Sequence, residues 1–148
     1  MPVSTAKQYT LPTSRARSAL MSRVRQSGTA PELVVRRLLR EIGAQYRLNV
    51  RDLPGRPDIA NKAKHKAIFV HGCWWHFHGR CGRGVVPATN KEFWIEKFRA
   101  NVARDRRKIR ELRTAGYDVL VVWDCQLADE STARRELRSF WSRGGARQ

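Results

Sequence analysis

The chain has 148 residues, with 30 Lys and Arg against 13 Asp and Glu, for a net charge of +17. That length favours one domain with a real core, and that charge calls for a polyanionic partner, nucleic acid before others. No apolar run is long enough to span a bilayer, no apolar signal segment opens the chain, and three cysteines argue against a disulfide framework, so no membrane contact and a cytoplasmic setting are expected.

Residues 1–13 read as a flexible polar tail. The basic segment 14–26 has helical propensity, but Leu20, Met21 and Val24 are too few for a strong core helix. It is either a solvated arm or a helix that lies against DNA. Thr29-Ala30-Pro31-Glu32 is a capping box with Pro in the first turn, and Gly43 stops the helix that follows. Glu32 thus has a structural explanation, with a catalytic role as the competing one. Gln45 to Arg51 alternates apolar and polar residues and predicts a strand. Leu53-Pro54-Gly55-Arg56-Pro57 is a turn that delivers Asp58 to a second strand, Asp58-Ile59-Ala60. Residues 58–61 and 66–70 predict an antiparallel hairpin, its second strand apolar on both faces and so central.

Gly72 to Ala88 is a long loop, a length that usually signals function. Thr89-Asn90-Lys91-Glu92 reads as a second capping box opening the longest helix, Lys91 to about Thr114, closed by Gly116. Tyr117 to Trp123 reads as a buried strand, and Asp129 to about Arg143 as an amphipathic helix with Leu137, Phe140 and Trp141 inward. The order is helix, three antiparallel strands, helix, strand, helix. It predicts an α/β (α+β) fold, a mixed sheet flanked by helices in a single domain over 14–148.

The chemistry concentrates between Asp58 and Cys81. Cys73, His78 and Cys81 lie in the loop with the spacing Cys73-x4-His78-x2-Cys81, and Cys125, at the end of the last strand, is the natural fourth donor for a tetrahedral Zn²⁺. Such a site would staple the loop to the sheet. Asp58, opposite Val70 and His71 on the paired strand, suits a Mg²⁺-type nuclease centre. Val70 lacks a side-chain oxygen and could offer only its backbone carbonyl. His76 falls outside the zinc spacing and is free to activate water. Asp105 is its candidate orienter, because Trp94, Asn101 and Asp105 share one helix face. Its competing reading is an ion pair with Arg104, Arg106 or Arg107. Trp74 and Trp75 are candidates for stacking on or wedging between bases, or, for one of the pair, for plugging the core behind the loop.

With these residues in hand the chain resembles the very short patch repair (Vsr) endonucleases. The matching pieces are Leu53-Pro54-Gly55-Arg56-Pro57-Asp58, Phe69 with His71-Gly72-Cys73, Trp75-His76, Val86-Pro87-Ala88-Thr89, Glu92-Phe93-Trp94, Glu96-Lys97, Asn101-Val102, Arg104-Asp105-Arg106-Arg107, and Val121-Val122-Trp123 before Cys125. They run in one order over about 14–125. The resemblance implies a restriction-endonuclease-like fold and a nick 5′ to the T of a T:G mismatch left by deamination of 5-methylcytosine. It also implies Mg²⁺ at the centre and a structural Zn²⁺. Carried over by position, Asp58 holds the metal, His76 is the general base, Asp105 its partner, His71 the second histidine and Glu32 the helix glutamate. Cys73, His78, Cys81 and Cys125 match the zinc ligands. Trp74, Trp75 and Trp94 match an aromatic wedge, and Met21 falls where an N-terminal helix meets DNA, with Asn101 also on the DNA side. The implied partner is double-stranded DNA, with possible repair-protein partners, and the implied setting is the bacterial nucleoid. One active site suffices to nick one strand, so a monomer is expected.

Three departures stand out. Val70 replaces a common threonine, Trp74 replaces phenylalanine, and one extra residue lies between His76 and Cys81. Two other functions fit the same residues less fully. One is a nickase of different specificity acting in defence against foreign DNA, and the other is a zinc-containing DNA-binding module without catalysis.

Overall fold

In a computed structural model, residues 28–82 and 84–144 of the chain are described. The expected tail 1–13, the helix 14–26 and Met21 lie outside them. Helix α1 (Ala30–Glu41) starts where the capping box predicts, with the Thr29 side chain accepting from the Glu32 N–H. The reciprocal half differs: Glu32 reaches past the cap and accepts from the Gly28 N–H at 2.8 Å. Strand β1 (Arg47–Leu48) is only two residues long, because Asn49 turns into the left-handed region (φ 48°) and ends the extended run. Strands β2 (Ile59–Asn61) and β3 (Lys66–His71) form the expected antiparallel hairpin, pairing Ile59 with Ile68 and Asn61 with Lys66.

Helix α2 (Lys91–Thr114) keeps its expected bounds but not its expected cap. Asn90, not Thr89, is the N-cap residue. Its backbone is left-handed, a conformation asparagine tolerates better than most residues. The crossover through α2 lets strand β4 (Asp118–Trp123) pair parallel to β3, from Lys66–Asp118 to His71–Trp123. A 3-10 turn (Asp124–Ala128) follows, and helix α3 (Glu130–Ser142) closes the described chain. The sheet order is β1-β2-β3-β4.

Side-chain alternation on β3 divides the core into two layers. Ile68 and Val70 face α1 and α3, packing with Leu38, Leu39, Val122, Leu137, Phe140 and Trp141. Ala67 and Phe69 face α2, packing with Leu112, Tyr117 and Val119. Every β3 residue is buried, as a central strand demands. Each of these large apolar side chains contributes about 1.5–3 kcal/mol by leaving water, more than the exposed Arg37–Glu130 and Arg134–Glu41 pairs that also join α1 to α3. No described helix is long and apolar enough to cross a membrane.

Candidate active site

The hairpin places Asp58 just before β2, beside the end of β3. Its Oδ2 accepts from the Val70 N–H at 2.7 Å. That bond fixes the carboxylate against the strand through the Val70 backbone, with no contribution from its side chain. Burial pushes the Asp58 carboxyl up to about 6. The Val70 bond pulls the other way, and the neighbouring Glu32 charge pushes it further up. Glu32 is itself buried at the start of α1, with Arg36 on its Oε2 at 3.3 Å.

One residue past Val70, His71 is 5% exposed and its Nδ1 has no hydrogen-bond partner. Its ring stacks flat on that of His76, with centroids 3.8 Å apart and planes at 4°. Burial first, then the His76 charge, pushes His71 down to about 3, so the imidazole is neutral at ordinary pH. The Nδ1 of His76 lies 2.6 Å from Asp105 Oδ2. An ionised carboxylate only accepts, so Nδ1 carries the proton, and in the neutral ring the lone pair is left on Nε2. Burial works against ionising Asp105, but the His76 hydrogen bond outweighs it, with the Lys108 charge adding to the effect, and the pKa ends below the usual carboxylate range. The competing reading, a helix ion pair with a neighbouring arginine, gives way to this contact with His76.

The loop after β3 is knotted by its own backbone. His78 N–H donates to Cys73 O at 2.8 Å and His76 N–H to Gly72 O at 3.1 Å. Gly84 closes on it so tightly that a Cβ there would lie 2.9 Å from the His78 carbonyl oxygen. This folding brings donor atoms of Cys73, His78, Cys81 and Cys125 within 4.8 Å of one another. Cys125 sits on the 3-10 turn rather than on the strand. Its N–H donates to Cys73 Sγ at 3.3 Å, and its Sγ is 3.5 Å from His78 Nδ1. Burial pushes the Cys73 thiol up to about 11, so a cation is what would make a thiolate there favourable. The donor set fits a four-coordinate soft-metal site, and the extra residue before Cys81 does not keep that sulfur away.

The aromatics gather beside this loop. Trp74 packs among Trp75 (4.8 Å), Trp94 (5.1 Å) and Phe98 (5.3 Å), and its Nε1 donates to Val85 O. All three tryptophans are half-buried. Asn101 points into the loop, its Nδ2 donating to Trp75 O at 3.0 Å. Two residues given no role in the sequence reading also border the centre. Trp123 stacks on His78 at 4.1 Å and forms a T-shaped pair with His71 at 5.1 Å. Lys108 lies close enough for its charge to act on Asp58, His71 and Asp105.

Among known proteins, a profile of the family described as DNA mismatch endonuclease Vsr matches residues 10–83. The DNA mismatch endonuclease Vsr of Escherichia coli (strain K12) is 42% identical over 125 residues, 80% of each chain. The type II nicking enzyme V.XorIIP of Xanthomonas oryzae pv. oryzae is 45% identical over 124 residues, covering 84% of this chain and 90% of that one. The chain belongs to the Vsr endonuclease family. The fold agrees with a further nuclease. The catalytic domain of the homing endonuclease I-Bth0305I superposes with a TM-score of 0.54 and 25% identity, covering 77% of this chain and 95% of that domain. As a Vsr-family DNA endonuclease, the protein carries Asp58, His71, His76 and Asp105 at one end of its sheet, with the cysteine cluster alongside.

Proposed function

We propose that this chain nicks one strand of duplex DNA 5′ to the T of a T:G mismatch, by Mg²⁺-dependent hydrolysis. The observation that carries the chemistry is the 2.6 Å His76–Asp105 pair beside the half-buried Asp58. His76 Nε2 takes the proton of the attacking water, and Asp105 orients the ring and stabilises the imidazolium that results. His71, neutral and stacked on His76, holds that ring in plane and keeps bulk water from its face. Asp58 and the Val70 backbone carbonyl are the residues to hold the Mg²⁺, with Glu32 behind Asp58. When bound, the ion would supply charge neutralisation at the phosphate and leaving oxygen.

Around this centre, Cys73, His78, Cys81 and Cys125 hold a structural Zn²⁺. Trp74, Trp75 and Trp94 supply the aromatic surface that wedges into the duplex, and Asn101 and Met21 are further DNA-binding residues. Lys97 lies 5.8 Å above the Trp75 ring and 5.9 Å from that of Trp94, so positive charge accompanies the aromatic surface. The net charge of +17 supports tight, salt-sensitive phosphate binding.

The mismatch reading draws on the name of the Escherichia coli relative. A second reading, a nickase with a different target, draws on relatives named type II nicking enzymes, including V.NmeAIP of Neisseria meningitidis at 37% identity. Two end-labelled duplexes of one sequence decide between them in Mg²⁺, one with T:G in a 5′-CTWGG-type site and one fully paired. Strong preference for the mismatch supports the first reading, and equal cutting of both supports the second.

A further inference from the structure

Helix α2 turns a single face to the site. Asn101 reaches the loop carbonyl of Trp75 and Asp105 reaches His76. Lys108 is one turn beyond Asp105 on that face. Its stem packs against Gly55, in the turn that delivers Asp58. A Cβ at Gly55 would lie 2.6 Å from Lys108 Cβ and 2.8 Å from Cγ, and Gly55 has φ +73°. That position therefore requires glycine both for its backbone and for the room the lysine stem takes. The Asp58 turn is seated on an aliphatic stem whose charge acts on Asp58 and Asp105.

The carboxylates at this end of the sheet repel a phosphodiester. Glu32, Asp58 and Asp105 are acidic, and His71 is held neutral. Lys108 is half-buried, and among the described residues no carboxylate sits within ion-pair distance of it. Its charge nonetheless reaches the carboxyl of Asp58, whose pKa is set first by burial, and that of Asp105. A cation held by its stem, near the reacting groups yet paired with none of them, is available to an anionic substrate.

We propose that Lys108 contacts the scissile phosphate, its ammonium bearing on the non-bridging oxygens of the phosphodiester that Asp58 and His76 address. The inference rests on the nuclease reading above. It makes Gly55 and Lys108 a unit, the glycine admitting the stem and the stem aiming the charge.

A cycle on the full-length, zinc-loaded protein tests it. Lys108→Met keeps a stem against Gly55 and removes the charge, and Lys108→Arg restores a charge. Each protein meets a T:G duplex with either an ordinary phosphate or an uncharged methylphosphonate 5′ to the mismatched T. Affinity is read with Ca²⁺ in place of Mg²⁺, and single-turnover nicking with Mg²⁺. Removing the phosphate charge is expected to cost the wild type and Lys108→Arg about tenfold in affinity, and Lys108→Met less than about twofold. Nicking of the ordinary duplex by Lys108→Met is expected to slow ~10²-fold, with Lys108→Arg regaining most of it. The salt slope of log K should also fall by ~0.9 in Lys108→Met. A Lys108→Met protein that nicks within about threefold of wild type, and loses as much affinity as wild type on the methylphosphonate, overturns the inference alone. A wild type that nicks no duplex in Mg²⁺ overturns the nuclease reading, and the inference with it.

Discussion

Two side-chain clusters lie next to each other where β3 runs into its loop, and they differ in how well their groups are satisfied. In the cysteine cluster the donors touch one another and the loop backbone folds around them, with Cys125 N–H on Cys73 Sγ and His78 N–H on Cys73 O. In the acid–histidine cluster a carboxyl is pushed up to about 6 and a buried imidazole nitrogen has no partner. Closed donor sets suit a metal that stabilises the fold, whereas incompletely satisfied groups suit chemistry, which needs capacity left for substrate. Trp123 separates the two, stacked on His78 and in a T-shaped pair with His71, so each cluster shapes the other's wall.

If that contrast is correct, changes in the two clusters must fail in different ways. The largest effect is expected from Asp58→Asn, which retains an acceptor for the Val70 N–H. Single-turnover nicking should fall by at least ~10³-fold, with melting temperature and DNA affinity close to wild type. Cys125→Ser should do the reverse. Bound zinc measured by elemental analysis should drop, and stability should fall by about 3 kcal/mol or more, roughly 6–12 °C in melting temperature. Should Cys125→Ser leave both zinc content and melting temperature unchanged, the two clusters are not functionally distinct. Asp105→Asn should slow nicking ~10²-fold without altering zinc content, because it removes only the charge that supports His76.

The smallest effect concerns pH. The Asp58 carboxyl is raised to about 6, mainly by burial, so below that pH it holds a proton that a metal ion must displace. The Mg²⁺ concentration giving half-maximal nicking should be flat above about pH 7. It should then rise by up to about tenfold per pH unit as pH falls below 6. A requirement independent of pH between 5 and 7, on this protein, would remove Asp58 from the metal site.

Much of this arrangement was legible in local sequence. The hairpin follows from apolar runs around a polar turn, and Thr29 and Gly43 bound α1 by standard cap chemistry. The cysteine cluster was readable because Cys and His at short spacing are rare for any other reason, and the parallel β4 brings Cys125 to them. What escaped is set by the fold rather than by neighbours in sequence. The strand expected over Gln45–Arg51 shrinks to Arg47–Leu48 because Asn49 adopts a positive φ that its sequence context does not announce. Thr89 loses the α2 cap to Asn90 for the same kind of reason. Trp123 looks like any strand-end aromatic until His78 folds over it. Lys108 is hidden among the many basic residues of α2, and only its contact with Gly55 separates it from them.

The far end of the sheet bears on the near one. Lys66 is fully buried, its Nζ donating to Asp118 Oδ2 at 3.0 Å and lying 4.7 Å from the Phe140 ring centre. These two residues are also the first rung of the β3–β4 ladder, whose last rung joins His71 to Trp123. Strand side chains alternate, so a slip of one residue would turn His71 to the opposite face and set Val70 against Trp123. It would also strand a buried ammonium without its carboxylate, a costly state. The Lys66–Asp118 pair therefore works as an index mark. It meters the alignment of two strands from their starting ends, so that the histidine pair at the other end arrives in phase.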